Sequence, residues 1–221
     1  MTTMFENEVE CSICGEKSTH TSIGSTNSFG SPDLDIRPPE MQRSTIYYSI
    51  QRCTSCSYCS SDISKCDENS ETLVKSSKYQ SIVEDISFPR VASSFLAKSY
   101  ENEINKQYVD AAWNVIHAAW ICDDEQNNEA AKNCRKKAVT IIDKANSQSN
   151  KIADQAGASE LITIDLMRRS GMFEAALELA ELTKKDDIEN IIIQIIEFEI
   201  TLIQLKDTES HTISEALEKE Q

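Results

Sequence analysis

Apolar side chains recur at helical spacing through the part of the chain that follows Pro89. The first series is Leu96, Tyr100, Ile104, Tyr108, Ala112, Val115, Ala119 and Cys122. Intervals of three and four residues place these side chains on one face of an amphipathic helix, here about 28 residues long. The polar run Asp123–Asn128 ends it, and a second helix follows with alanines, Cys134 and Ile141 on its inner face. Because the break is short, the two helices are predicted to be antiparallel neighbours.

The same periodicity predicts three more helices. They are expected at Lys151–Arg169, Met172–Lys184 and Ile188–Leu205. Gly171 is typical of the residue beyond a helix C-terminus, and Asp186 or Asp187 is the predicted cap of the last helix. Isoleucines cover more than half of that helix, so it must be covered on two sides, either by other helices or by a second copy of the chain. The polar tail after Lys206 is expected to fray.

The N-terminal part has a different pattern. A strand is predicted at Phe5–Val9, and the β-branched and aromatic residues of Ser44–Arg52 predict another. Between them Ser22–Pro39 carries the glycines and prolines of an ordered loop. The chain is therefore predicted to be mainly α, with a small β module resembling a zinc ribbon at residues 1–88 and antiparallel helical hairpins at residues 89–221.

Four cysteines in the N-terminal part have the spacing of metal ligands. They are Cys11, Cys14, Cys53 and Cys56, two CxxC pairs. Each pair bends into a knuckle that offers two thiolates, and zinc takes four ligands, so the pairs predict one zinc ion. Gly15 suits the turn after the first pair, where a positive φ is common, whereas Ser57 holds that place in the second. Four thiolates leave no open position, which makes the predicted site structural. The alternative is a redox dithiol, but neither pair opens a helix.

The remaining cysteines and the histidines carry weaker signals. Cys59 and Cys66 are expected to be spare thiols near the surface of the module, although either could replace a ligand. Cys122 and Cys134 are expected to be small core residues. The three histidines are His20, His117 and His211, and each is isolated in sequence. No nucleophile elbow or phosphate-binding loop is present, so an enzyme is disfavoured.

The formal net charge is −15, which repels phosphate and disfavours nucleic acid as a partner. One dense basic cluster is interpreted as a solvated helix face; it comprises Lys132, Arg135, Lys136 and Lys137. Reduced CxxC pairs and an acidic start without an apolar stretch predict a cytoplasmic protein. The apolar run Ile188–Leu205 is interrupted by Glu189, Gln194, Glu197, Glu199 and Gln204, so no membrane span is expected.

Two sets of residues are candidates for binding. The loop between the cysteine pairs carries Phe29, Asp33, Asp35 and Arg37. Its charged side chains either brace the loop against the rest of the chain or form a recognition or active surface. Trp113 and Trp120 lie seven residues apart on the same face of a helix. They are expected to be core residues; if they are exposed, they would instead form a partner-binding surface.

Two resemblances extend this interpretation. The run Leu166–Leu177, with Gly171, Phe173 and Ala176, resembles the turn and second helix of a tetratricopeptide repeat. The segments CSICG, NSFGSPDLDIRPPEM, YSIQRCTSCSYCSSDIS and AAWNVIHAAWICDD resemble uncharacterised bacterial proteins that join a zinc-ribbon-like N-terminus to tetratricopeptide-like helices. This second resemblance implies the architecture and a zinc ion, and it implies no activity. Ser57 and Cys59 depart from the pattern expected at the second knuckle.

Together these observations favour a cytoplasmic, zinc-stabilised adaptor or scaffold whose helical hairpins bind a protein partner. The alternative is a nucleic-acid-binding regulator that uses the zinc module and its cations Arg37, Arg43, Arg52 and Lys65. An enzyme built on the Asp33, Asp35 and Arg37 loop is the least favoured hypothesis. Association of two copies through Ile188–Leu205 is a further expectation.

Overall fold

The computed structural model describes residues 1–218, which form a mainly α protein with a small N-terminal β part, as predicted. The strands are β1 Thr3–Glu10, β2 Lys17–Ser25, β3 Gln51–Arg52 and β4 Cys59–Ser60. The helices are α1 Ser70–Val74, α2 Ser77–Val83, α3 Arg90–Ile104, α4 Tyr108–Asp124, α5 Asn128–Ser147, α6 Ala158–Arg169, α7 Phe173–Thr183, α8 Asn190–Gln204 and α9 Ile213–Leu217. A 3-10 helix spans Arg43–Tyr48.

Strands β1 and β2 pair antiparallel in a hairpin that places Val9 opposite Ser18. The predicted strand at Phe5–Val9 is confirmed within β1. Strand β2 was missed because its Ser and Thr residues do not alternate with apolar ones, and it takes the first residues of the predicted loop Ser22–Pro39. Strands β3 and β4 form a second, two-residue antiparallel pair next to the second cysteine pair.

The predicted strand Ser44–Arg52 is wrong over most of its length. Only Gln51–Arg52 is extended, and the residues before it form the 3-10 helix. The hydroxyl of Thr45 donates to the carbonyl of Gln42 at 2.7 Å, and the hydroxyl of Ser49 donates to the carbonyl of Ile46 at 2.8 Å. Such local bonds from Ser and Thr compete with strand pairing, and they outweigh the β propensity of the segment.

The single long helix predicted between Leu96 and Cys122 is also wrong. The chain breaks after Ile104, Lys106 adopts a left-handed conformation with φ of 59°, and α4 starts at Tyr108. The N–H of Gln107 donates to the carbonyl of Asn102 at 2.8 Å, which closes the end of α3. Because Tyr108 resumes the apolar spacing in phase, periodicity alone did not show the break.

The later elements differ from expectation mainly at their ends. Helix α6 begins at Ala158, after Gly157 with φ of 83°, and not at Lys151. The residue before α8 is Glu189, and its side chain makes no cap bond, so neither Asp186 nor Asp187 caps the helix. The tail was expected to fray, yet it contains α9, which starts with a reciprocal capping box. Residues 219–221 of that tail lie outside the described part.

Three clusters of buried side chains hold the molecule together. The largest lies among α3, α4, α5 and α6, and the second joins α6, α7, α8 and α9. The third surrounds Cys11 and Cys53, and it combines side chains of α1 and α2 with Ala97 of α3. The division at residue 88 and the likeness to tetratricopeptide repeats stay predictions.

Candidate metal centre

Both cysteine pairs fold into the same knuckle. The N–H of Cys11 donates to the carbonyl of Glu16 at 2.9 Å, and the N–H of Cys53 donates to that of Tyr58 at 2.8 Å. The residue after the second cysteine adopts a positive φ in each, 73° at Gly15 and 63° at Ser57. The two pairs therefore present their thiols with matching backbone geometry, although only the first has the glycine that suits it.

The knuckles bring four thiols together. The Sγ atoms of Cys11 and Cys56 are 3.7 Å apart, and those of Cys14 and Cys53 are 3.5 Å apart. All four Sγ atoms lie within 4.8 Å of one another. A zinc ion at about 2.3 Å from each sulfur of a regular tetrahedron would hold the sulfurs about 3.8 Å apart. The four cysteines could therefore hold one metal ion with little rearrangement.

The thiols differ in their ionisation. Burial raises the pKa of Cys14, but the N–H of Glu16 and the neighbouring thiols outweigh it, and the pKa falls to about 7. Burial is the main cause that raises the pKa of Cys11 and of Cys56. The N–H of Tyr58 lowers the pKa of Cys56, as the N–H of Glu16 lowers that of Cys14, but at Cys56 burial outweighs it. A cation among the sulfurs would favour the thiolate form of all four.

The second knuckle is anchored to α2 by Tyr79. This residue is fully buried, and its hydroxyl accepts from the N–H of Cys59 at 2.9 Å and donates to the carbonyl of Ser57 at 3.3 Å. The first knuckle is held by Ser12, whose N–H donates to the carbonyl of Ile63 at 2.9 Å. Both contacts fix the backbone that carries the thiols.

Neither additional cysteine of the N-terminal part joins the cluster. Cys59 was expected near the surface, but it is fully buried, and its thiol donates to the carbonyl of Ser57 at 3.2 Å. Cys66 is exposed. Cys122 and Cys134 are core residues, as predicted. Within residues 1–218, the four paired cysteines are the one group of metal-ligating side chains close enough to share an ion.

The loop between the knuckles runs against the helices. Its residues Asp33, Asp35 and Arg37 are buried, whereas Phe29 is 62% exposed. Asp35 accepts from the indole N–H of Trp120 at 2.7 Å, and Arg37 donates to both carboxylate oxygens of Asp124 at 2.6 and 2.7 Å. The four candidate residues of the loop do not share one exposed surface.

Sequence reasoning missed a buried network of charges behind this loop. Its members besides the loop residues are Asp123, Arg135, Asp165, Arg168, Arg169 and Glu199. Arg169 donates to Asp35 at 3.3 Å and to Asp123 at 2.9 Å, which links α6, α4 and the loop. These residues are spread over four helices, so only unusual charged residues on otherwise apolar helix faces could have signalled the network.

The other candidates occupy mixed environments. Trp120 is buried and Trp113 is half-buried, and the indole N–H of Trp113 donates to the carbonyl of Ile152 at 3.1 Å. The basic cluster is not uniformly solvated, because Arg135 is buried and paired with Asp123. Among the described residues, no helix has the length and apolar character needed to cross a lipid bilayer.

Comparison with protein families gives one match. A family described as "Uncharacterized protein conserved in bacteria (DUF2225)" matches residues 4–199, which include the four clustered cysteines and nearly all of the helices. No curated protein and no solved structure matched the chain.

Proposed function

We propose that this chain, which belongs to the DUF2225 family of bacterial proteins, is a zinc-stabilised adaptor that binds a protein partner through its helices. The observation that carries the proposal is the closed cluster of four cysteine thiols. Four thiolates complete the coordination of zinc, so the ion has no position for a substrate or a catalytic water. A metal held in this way stabilises a fold, and the function then belongs to the surface that the fold presents.

The position of the cluster supports a structural role. Cys11 and Cys53 belong to the same buried cluster as Tyr79 and Val83 of α2 and Ala97 of α3. An ion that joins the two knuckles would therefore also fix how they rest on these helices. Because the unfolded chain has no preformed site, the free energy of metal binding would add to the free energy of folding.

A groove between α2, α3 and α5 is the surface that supports partner binding best. Its volume is about 520 Å³, and its apolar lining comprises Ile82, Phe88, Leu96 and Tyr100. Lys78, Asp85, Glu103 and Lys137 lie at its polar edge, and Lys137 pairs with Glu103 at 3.3 Å. Ile86, in the turn between α2 and α3, is 99% exposed. An exposed isoleucine beside an apolar groove with a mixed charged edge fits a partner segment that carries apolar side chains.

Site-specific crosslinking tests this part of the proposal. A photoreactive residue at position 86 should give one discrete crosslinked protein in the bacterium that encodes the chain, and the product should disappear with Leu96→Glu in the groove. The same residue at position 205, which replaces a leucine that is 72% exposed and lies far along the chain, is the matched control. Equal products from both positions, or none from position 86, would contradict a partner at this groove.

The nucleic-acid alternative has less support. It needs a set of cations exposed on the surface of the zinc module, where a nucleic-acid backbone can reach them, but the Arg37 side chain is 4% exposed and paired with Asp124, and Arg43 is paired with Asp33. Lys65 is paired with Asp62 at 2.9 Å. We therefore retain the adaptor as the proposed function.

A further inference from the structure

The loop between the knuckles and helix α4 line a cavity of about 350 Å³ that is open to solvent on one side. It lies where the two sets of residues singled out in the sequence meet, since Arg37 of the loop and both tryptophans of α4 line it. The other lining residues are Ile36, Pro38, Gln42, Arg43, Thr45, Ile46, Ser49 and His117. The cavity is separate from the cysteine cluster and from the groove between α2, α3 and α5.

Aromatic rings form the wall that α4 contributes. The ring centroids of Trp113 and Trp120 are 6.4 Å apart, and the imidazole of His117 lies 5.9 Å from the first and 4.9 Å from the second. Both indole N–H groups are used in hydrogen bonds, to Ile152 and to Asp35, which fixes the orientation of the rings. Burial lowers the pKa of His117 to about 4, so this imidazole is neutral at physiological pH. The planes of the three rings are inclined to one another by 39° to 63°, so a planar ligand can lie flat on one of them, and Trp113 is the less buried indole.

Arg37 and Arg43 are the charged side chains among the lining residues, and the guanidinium carbon of Arg37 lies 5.9 Å from the ring centroid of Trp120. The side chain of Arg37 is 4% exposed and directs its Nη2 to Asp124, while its Nε has no hydrogen-bond partner. Arg43 donates from Nη2 to Asp33 and from Nε to the carbonyl of Pro38. Within residues 1–218, the hydrogen bonds of these two side chains come from Nη2 of Arg37 and from Nη2 and Nε of Arg43. Each guanidinium group therefore retains a donor besides those given to its carboxylate partner, Asp124 or Asp33.

We propose that this cavity binds a small planar aromatic molecule that carries one anionic group. The aromatic ring stacks on Trp113, the less buried indole, beside His117, and the anionic group accepts hydrogen bonds from Arg37 and Arg43. The volume lies at the lower end of the range for small-molecule sites, which suits a ligand of one or two fused rings with a short substituent. Carboxylates and phosphates share this chemistry.

Because the net charge of the protein is −15, we expect a ligand to bind only if it carries both the aromatic ring and the anionic group. A simple anion such as inorganic phosphate is repelled by the whole molecule and gains no stacking. A neutral aromatic gains stacking and leaves the arginine donors unused. Affinity should therefore require the ring and the anion in one molecule.

The fluorescence of the full-length protein reports on this cavity alone, because the chain has two tryptophans and both line it. Benzoate is the probe for an aromatic ligand with a carboxylate, and adenosine 5′-monophosphate is the probe for one with a phosphate. Benzamide, adenosine and inorganic phosphate are their controls. Selective tryptophan excitation shows whether the site is occupied, and isothermal titration calorimetry gives the affinity.

We expect saturable binding of at least one anionic aromatic probe at millimolar concentration or below, with its neutral analogue and phosphate binding about tenfold more weakly or not at all. Binding of benzoate alone selects the carboxylate, and binding of the nucleotide alone selects the phosphate. Binding of neither probe, or equal binding of a probe and its neutral analogue, overturns the proposal.

Gln42 provides a matched pair of variants that spare the fold. It is exposed, it lines the cavity, and only its backbone carbonyl is used in a hydrogen bond, to Thr45. Gln42→Glu should lower the affinity for the bound probe by about fivefold, and Gln42→Lys should raise it by a similar factor, as expected for an exposed charge interaction. Equal affinity in both variants overturns an anionic ligand even if an aromatic one binds.

Discussion

The carboxylate of Asp35 accepts a hydrogen bond of 2.7 Å from the indole N–H of Trp120, although 85 residues separate them in sequence. Asp35 is fully buried and Trp120 is 3% exposed. The loop that connects the two knuckles is therefore fastened to the middle of the helical core. This bond holds the loop against α4, so the conformation of the loop depends on the position of that helix.

Replacement of this indole tests that dependence. Trp120→Phe keeps an aromatic ring but removes the N–H, and Asp35 is left with Arg169 as its remaining side-chain donor. We expect a loss of about 1–3 kcal/mol in the free energy of unfolding, because a buried carboxylate loses a donor. Urea denaturation measures it. A variant as stable as the wild type would show that the bond contributes nothing.

A buried carboxyl pair is expected to share one proton. Oδ2 of Asp165 and Oε1 of Glu199 are both buried without a hydrogen-bond partner. Burial raises the pKa of each, and the Asp165 carboxylate raises that of Glu199 further. Glu199→Gln should therefore keep the stability of the protein, since the amide can donate in place of the proton. Glu199→Ala should cost about 3 kcal/mol, because Arg168 loses a buried partner.

The shared proton also predicts a pH dependence. The folded protein keeps a proton on Glu199 that the unfolded chain releases above its usual pKa of about 4.3. The raised pKa thus contributes stability that is fully present below that pH and declines as pH rises toward the folded pKa. Urea titrations across the mildly acidic to neutral range should show this decline in the wild type and a smaller one in Glu199→Gln. Parallel curves for the two proteins would count against the shared proton.

Tyr79 is expected to stabilise the metal centre through the backbone. Tyr79→Phe leaves the buried N–H of Cys59 without its hydroxyl acceptor, so the free energy of unfolding should fall by about 1–3 kcal/mol. Metal should also dissociate more readily, because the support of the second knuckle is lost. The matched control is Tyr48→Phe, at an exposed position outside the knuckles. Competition with a chelator and urea denaturation, run on both variants, measure the two effects. Equal results would contradict the anchoring role.

The two knuckles offer a second matched pair. Gly15 has φ of 73°, and no atom lies within 4 Å of the position of an added Cβ, so Gly15→Ala should cost about 1 kcal/mol from backbone strain alone. Ser57→Gly should gain up to about 1 kcal/mol by relieving the same strain at φ of 63°. Thermal denaturation of the metal-bound proteins compares them. The same sign of effect for both variants would contradict matching knuckle geometry.

The sequence was most informative where a residue pattern is typical of one kind of structure. Paired CxxC spacing predicted the cluster of Cys11, Cys14, Cys53 and Cys56 before any coordinates, and helical periodicity predicted the mainly α fold. Periodicity failed at Lys106, because a one-turn break preserved the phase of the apolar face. The identity of the metal, the division at residue 88 and the partner stay predictions.

The buried ionic network was beyond prediction for a different reason. Asp35 and Asp123 are brought to Arg169 by three elements that lie far apart in the sequence. A single charged residue in an apolar helix pattern does not say which distant residue pairs with it. The cavity beside Trp120 depends on the same packing, so it too could only be found in the folded chain.

The metal content of the purified protein tests the central claim most directly. Elemental mass spectrometry of protein prepared without added metal should give one zinc per chain, and Cys53→Ser should lose most of it. Cys66→Ser removes an exposed cysteine outside the cluster and should keep it. A wild-type protein that is folded and free of zinc, or a Cys53→Ser variant that keeps a full equivalent, would contradict a structural zinc centre at the four cysteines.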